Sequence, residues 1–305
     1  MREARISIVN TANVINREGR DVLLDRARER IGLVARDRPD VILLTEQFAN
    51  CPIDNNQCGS HGTAEDLSGP ITQELAALAK EHNTYIAYGM LRRDGERFFN
   101  SMVLLDRKGK PAWIYDKITP VPYETEQCGV TPGKRPAAFN TDFGRIGAAI
   151  CFDINFIEIA EAYFEQDIEL LLFPSAFPAG RLLDAWAVRY GFAIAGSTWY
   201  DHNRIIDCTG ATVGRTSDFC SYTTAVLNLN RRVVHMDGNM DGLDRMRTRY
   251  AGDVLIEDMR EEATVAVTSL KKGLEIKDLM KEFEIESLYA YFTRSRKVRK
   301  EHGGL

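Results

Sequence analysis

The stretch Arg145-Ile-Gly-Ala-Ala-Ile-Cys-Phe-Asp-Ile-Asn-Phe-Ile-Glu158 decides how this chain reads. Ile146 to Ile150 is small and apolar throughout, which suits a strand buried on both faces. Phe156, Ile159, Ala160, Tyr163 and Phe164 then recur at helical spacing. Cys151 therefore stands where a buried strand gives way to a helix. Such a junction presents a side chain at the strand's carboxyl end, beside backbone N–H groups that favour a thiolate and a developing oxyanion. A buried, inert structural cysteine satisfies the same pattern. This stretch alone leaves both readings open.

Working outward, the same pattern of polar residues at strand ends recurs twice. Val41-Ile-Leu-Leu-Thr-Glu46 is an apolar run that ends at a carboxylate. Trp113-Ile-Tyr-Asp-Lys117 closes a hairpin strand at an ammonium. Taken singly, Glu46 reads as a solvated residue just past a strand, and Lys117 as a surface lysine paired with Asp116 or a nearby acid. Taken with Cys151, they are three chemically complementary groups at carboxyl ends of strands, where ligands bind in α/β folds. A thiolate can attack a carbon–nitrogen centre, a carboxylate can carry the proton, and a lysine with the backbone N–H of Phe152 can stabilise the oxyanion. No histidine is needed, and none of the five, His61, His82, His202, His235 and His302, has a comparable strand-end setting.

The order of elements carries the fold. The first half reads as strand (Arg5 to Asn10), helix (Val22 to Asp37), strand (Val41 to Glu46), helix (Pro70 to Glu81) and strand (Tyr85 to Met90). A hairpin of Phe99 to Asp106 with Pro111 to Lys117 follows. Asn50 to Asp66 and Thr119 to Pro136 read as loops. The second half repeats the order: strand Glu169 to Ser175, helix Gly180 to Tyr190, strand Phe192 to Ser197, a hairpin from Arg204 to Asp207 turned at Thr209-Gly210, and strand Thr223 to Asn230. Two similar sheets, each with helices on one face, pack sheet against sheet into a four-layer αββα sandwich of the α/β class. After Asn230 the chain is charged and rich in Met and Gly, and Ile276 to Arg294 reads as one closing amphipathic helix. The expected division is therefore a main domain over 1–275 and a C-terminal helical arm over 276–305, packed on the body or on a partner.

With 305 residues, 44% of them hydrophobic and 27% charged, the chain has ample core for such a domain. A net charge of −5 argues against a nucleic-acid or membrane-surface role. Ile6 to Val9 reads as a strand rather than part of a signal peptide, and no apolar run reaches the length of a membrane span. The six cysteines, Cys51, Cys58, Cys128, Cys151, Cys208 and Cys220, lack paired CxxC spacing. Neither a disulfide framework nor a zinc site is expected, and a reducing, cytoplasmic compartment suits a thiol nucleophile.

Leu43-Leu-Thr-Glu46, Tyr115-Asp-Lys117 and Cys151-Phe-Asp-Ile-Asn-Phe-Ile-Glu158 resemble, in order and context, the three signatures of the nitrilase superfamily of carbon–nitrogen hydrolases. The resemblance continues through Phe173-Pro-Ser-Ala176, Trp186-Ala-Val-Arg189 and Arg204-Ile-Ile-Asp-Cys-Thr-Gly210 and covers residues 4 to 230. It implies an αββα sandwich, homodimers packed through the helices near the cysteine, and neither metal nor organic cofactor. It also implies a second glutamate in the loop after the lysine, and Glu124 matches that position better than Glu126. Tyr123 and Phe177 then fall where substrate-binding residues are expected, with the Asn50 to Asp66 loop beside them. Three departures set the chain outside the best-known branches: Thr119 stands for a common histidine, and Ile157 and Thr45 for common prolines. The reaction implied is hydrolysis of a small linear amide or N-carbamoyl amide through a Cys151 thioester. Nitrile hydrolysis, acyl transfer to an amine and a non-catalytic scaffold are the alternatives.

Overall fold

The protein is described by a computed structural model that covers residues 1–11, 19–50 and 60–304. Two six-stranded mixed sheets form its body. In the first, Glu3–Val9, Val41–Leu43 and Tyr85–Asp94 run parallel, Arg97–Leu105 and Pro111–Asp116 extend one side as the expected hairpin, and Tyr222–Asn228 pairs antiparallel with Glu3–Val9 on the other. In the second, Arg145–Ala148, Leu170–Ser175 and Ala193–Thr198 are parallel, flanked by Phe139–Asn140 and by the hairpin Arg204–Ile206 with Thr212–Arg215.

The period of two along the strands builds the layers. Val41, Leu43, Ala87, Met102 and Leu104 face the second sheet and join its Ile146, Leu170 and Leu172 in one core. Their neighbours Ile42, Ile86, Tyr88, Val103 and Leu105 face the other way, against helices Arg20–Val34 and Pro70–His82. Helices Ile157–Glu165 and Arg181–Tyr190 cover the outside of the second sheet, completing the αββα order.

Three details differ from the sequence reading. Tyr222–Asn228, taken there as continuing the second half, crosses back to the first sheet, where Ser7 and Thr224 share a 2.8 Å hydroxyl contact and Ala225 and Leu227 enter the central core. The residues after Asn230 are not merely charged tail. Arg231–His235, Thr264–Ser269 and Val254–Met259 form a third, antiparallel sheet. With helix Met240–Arg249 it encloses Val234, Leu243, Met246, Val267, Leu279 and Phe283 in a core of its own. The closing helix is two helices, Ile276–Glu282 and Leu288–Glu301, because the chain turns at Glu284 with φ of 56°. The second starts at a Ser287 cap and lies across the body's own outer helices. There Phe292 meets Phe164 and the Arg189 guanidinium, and Arg296 pairs with Glu161.

Candidate active site

Strand Val41–Leu43 stops early, yet Leu44 still bonds to Ala87 and Gly89 to Thr45, so the ladder carries the backbone as far as Glu46. A Cβ at residue 89 would lie 2.5 Å from the Glu46 Cα, so only glycine lets the strands approach this closely. Trp199 donates its ring N–H to the Glu46 carbonyl at 2.7 Å. On the hairpin, Lys117 N bonds to Asn100 O at 2.8 Å. Asp116 points to the opposite face and takes the Arg92 guanidinium and the Ser101 hydroxyl. Strand alternation thus separates Asp116 from Lys117 and turns the lysine inward, against the surface pairing that the isolated motif allowed. Gly133 packs on the backbone of Asp116 and Lys117 from below.

Cys151 does not pass directly from strand to α-helix. The strand ends at Ala148, and Cys151 opens a 3-10 turn, Cys151–Asn155, with φ of 53°; the α-helix begins only at Ile157. Asp153 is the cause. Fully buried, it accepts from the Ile150 N–H and Tyr115 hydroxyl through Oδ2, and from the N–H and hydroxyl of Thr119 through Oδ1. This carboxylate ties the cysteine turn to the chain just after Lys117. Thr119, which replaces a common histidine, is one of its donors.

The side chains converge. Lys117 Nζ lies 3.0 Å from Glu46 Oε1 and 2.7 Å from Glu124 Oε2. Glu124 is held by the first turn of helix Pro122–Glu126, where its Oε2 also accepts the Val121 N–H at 2.9 Å. Glu46 Oε2 accepts the Ala176 N–H at 2.6 Å. The Cys151 thiol adjoins this cluster, near the Ala176 N–H and the Ser175 hydroxyl. Burial and the Glu46 charge push the thiol up to about 12, although Lys117 and those donors oppose them. For Lys117, burial favours the neutral amine, but Glu46, Glu124 and Cys151 outweigh it, so its pKa is raised and it carries an ammonium. Two of the ammonium's three hydrogens serve the glutamates, leaving a third.

The Phe152 N–H, at the start of the turn, has no hydrogen-bond partner among the described residues. Phe177 sits beside Ala176, its N–H bonded to Ser175 Oγ at 3.0 Å. Tyr123 flanks Glu124 on the short helix and is 49% exposed. Most of the loop expected over Asn50 to Asp66, with Cys51 and Cys58, lies outside the described residues. Its start is anchored where Asn50 exchanges hydrogen bonds with the backbone of Leu91. No group of three His, Cys, Asp or Glu among the described residues could hold a metal ion. Sequence reasoning missed Asn100. It is fully buried and donates through Nδ2 to both Glu46 Oε1 at 2.6 Å and Glu124 Oε1 at 2.8 Å. Its signal was the polar pair Asn100-Ser101 inside the apolar run of the hairpin strand.

Residues 9–215 match the carbon–nitrogen hydrolase family model. The chain belongs to the carbon–nitrogen hydrolase family. It is accordingly a hydrolase acting on carbon–nitrogen bonds other than peptide bonds. Among curated relatives of this hydrolase, Hydrolase C26A3.11 of Schizosaccharomyces pombe is 28% identical over 72% of this chain and 68% of its own length. The omega-amidase NIT2 of Bos taurus is 29% identical over 50% of this chain and 58% of its own. The bifunctional nitrilase/nitrile hydratase NIT4B of Nicotiana tabacum is 30% identical over 38% of this chain and 33% of its own. The hydrolase shares its fold with an amidase from Nesterenkonia sp., at a TM-score of 0.64 and 18% identity, covering 73% of this chain and 90% of that one. A glutamate-to-glutamine variant of that amidase shows acrylamide added at its active-site cysteine.

Proposed function

We propose that this hydrolase cleaves a small linear amide or N-carbamoyl amide through a thioester on Cys151. The observation that carries the reading is the convergence of Glu46 and Lys117 on that thiol at the carboxyl ends of the strands, with Glu124 bonded to Lys117. Cys151 Sγ attacks the carbonyl carbon while its proton passes to Glu46, and the carbonyl π pair moves to oxygen. The third hydrogen of the Lys117 ammonium and the Phe152 N–H receive that oxyanion. Collapse breaks the C–N bond as Glu46 delivers the proton to nitrogen, releasing ammonia or an amine. Water then attacks the thioester, Glu46 takes its proton, and the second collapse returns that proton to the departing sulfur. Because the thiol stays protonated at neutral pH, transfer to Glu46 accompanies attack rather than preceding it. Glu124 holds Lys117 in place, and Tyr123 and Phe177 border the substrate.

Similarity to an omega-amidase supports an amide substrate, and similarity to plant nitrilases keeps a nitrile as the second reading. Ammonia release from panels of amides, carbamoyl amides and nitriles, by wild type and Cys151→Ala, tests both. Amide turnover lost in the variant is expected; turnover retained by Cys151→Ala would overturn the reading. We also propose a homodimer through the face that bears Ile157, 59% exposed, and Leu182, 39% exposed. A monomer by sedimentation at micromolar concentration would refute it. A thiol nucleophile needs a reducing environment, so we propose a cytoplasmic location, which fractionation of the native source tests.

A further inference from the structure

Asn100 closes a ring that the lysine alone leaves open. Lys117 Nζ bridges Glu46 Oε1 and Glu124 Oε2, while Asn100 Nδ2 bridges Glu46 Oε1 and Glu124 Oε1. Both amide hydrogens of Asn100 are therefore spent on carboxylates. Its Oδ1 is buried with no partner among the described residues. An unmet buried acceptor costs about 1–3 kcal/mol. A residue retained for packing alone would satisfy both ends of its amide, so the donor end is what this position supplies.

The two oxygens of Glu46 are made unequal. Oε1 receives two donors, Asn100 and Lys117; Oε2 receives one, the Ala176 N–H, which also borders the thiol. A carboxylate oxygen with one donor keeps a lone pair open for a proton. The donor at residue 100 is also neutral. A second cation here would complete the pairing of both carboxylates and weaken Glu46 as a base. The groups facing Asn100 are Glu46 from the first-sheet strand end, Glu124 from the short helix and Lys117 from the hairpin. Arg92 and Asp116 pair with each other on the hairpin's opposite face.

We propose that Asn100 is a positioning residue, which clamps Oε1 of Glu46 so that Oε2 is the oxygen that takes the Cys151 proton. The assignment rests on the hydrolase reading above only in naming Glu46 as the base. Addition of methyl vinyl sulfone, an electrophile with no carbon–nitrogen bond, to Cys151, followed by intact-protein mass spectrometry, measures thiol attack assisted by Glu46 without any knowledge of the natural substrate. If amide turnover does not need Cys151, that separate result refutes the hydrolytic scheme and leaves this readout intact.

Asn100→Leu, which removes the donor, should slow the adduct on the order of 10²-fold, the scale of lost acid–base assistance. Asn100→Asp keeps the shape. Its introduced carboxyl can donate only when protonated, so its adduct rate should fall as pH rises through the pKa of that carboxyl, a descending limb that wild type and Asn100→Leu lack. Asn100→Ser, which restores a donor in less volume, should recover most of the rate. With an amide that wild type turns over, the loss should fall on kcat and leave KM within about threefold. An adduct rate within threefold of wild type in folded Asn100→Leu would overturn the assignment. So would an Asn100→Asp profile that follows wild type at every pH. If none of the three variants folds, Asn100 is a structural residue and the proposal falls.

Discussion

One strand separates two buried carboxylate clusters that look alike and behave differently. Leu170–Ser175 begins beside Glu169 and ends beside the Glu46 site. Glu169 accepts from two guanidiniums, Arg2 and Arg232, and from the Arg145 N–H. Two cations face one carboxylate, and they join the start of the chain and the third sheet to the body. At the other end one cation, Lys117, serves two carboxylates, and a thiol stands against them. A buried carboxylate is therefore no sign of chemistry by itself. An excess of negative charge held by neutral donors, next to a nucleophile at the carboxyl ends of the strands, is what distinguishes the second cluster.

The sharpest way to break this contrast is to neutralise each carboxylate in turn. Glu46→Gln should lower turnover on the order of 10²–10⁴-fold and abolish acylation, because the thiol loses its base. Single-turnover trapping of the acyl-enzyme measures this, and a wild-type acylation rate would reverse the assignment. Glu124→Gln should reduce turnover less, with slow acyl-enzyme formation retained, since it holds Lys117 rather than carrying the proton. If Glu124→Gln blocks acylation while Glu46→Gln does not, the two glutamates exchange roles.

Glu169→Gln should leave kcat/KM within about threefold but cost stability. Breaking a fully buried pair costs roughly 3–5 kcal/mol. The Arg2 side chain is 34% exposed, so a loss of about 2 kcal/mol in denaturant titration is expected here. Burial raises the pKa of Glu169, but the Arg2 and Arg232 partners outweigh it and hold the group below the usual carboxylate range. Its contribution is thus fully present above the unfolded value near 4.3 and is lost as pH falls through the folded one. An acid-unfolding midpoint unchanged by Glu169→Gln would contradict the structural role.

The free enzyme offers the last test. With the thiol pushed up to about 12, alkylation of Cys151 by a small neutral thiosulfonate should rise about tenfold per pH unit from pH 7 to 10. A plateau near pH 7 would show a thiolate already held beside Lys117 and overturn the protonated-thiol reading.

Much of this was legible in one dimension because its causes are local. Alternation along Val41–Leu43 and Tyr85–Asp94, the helical spacing of Ile159 and Tyr163, and a polar residue closing each apolar run depend on backbone period and burial. Thr264-Val-Ala-Val-Thr-Ser269 carries the same period and marks the third sheet, but the charged residues around it hid the signal.

What the amino-acid sequence determined by itself was the αββα order and the three strand-end residues Glu46, Lys117 and Cys151, since each is set by its immediate neighbours. Tertiary structure alone decided that Tyr222–Asn228 returns to the first sheet, that Asp153 ties the cysteine turn to Thr119, and that Asn100 bridges Glu46 to Glu124. Those contacts join residues 24 to more than 200 positions apart, and a hydrogen bond depends on distance and angle in space, which no spacing along the chain encodes.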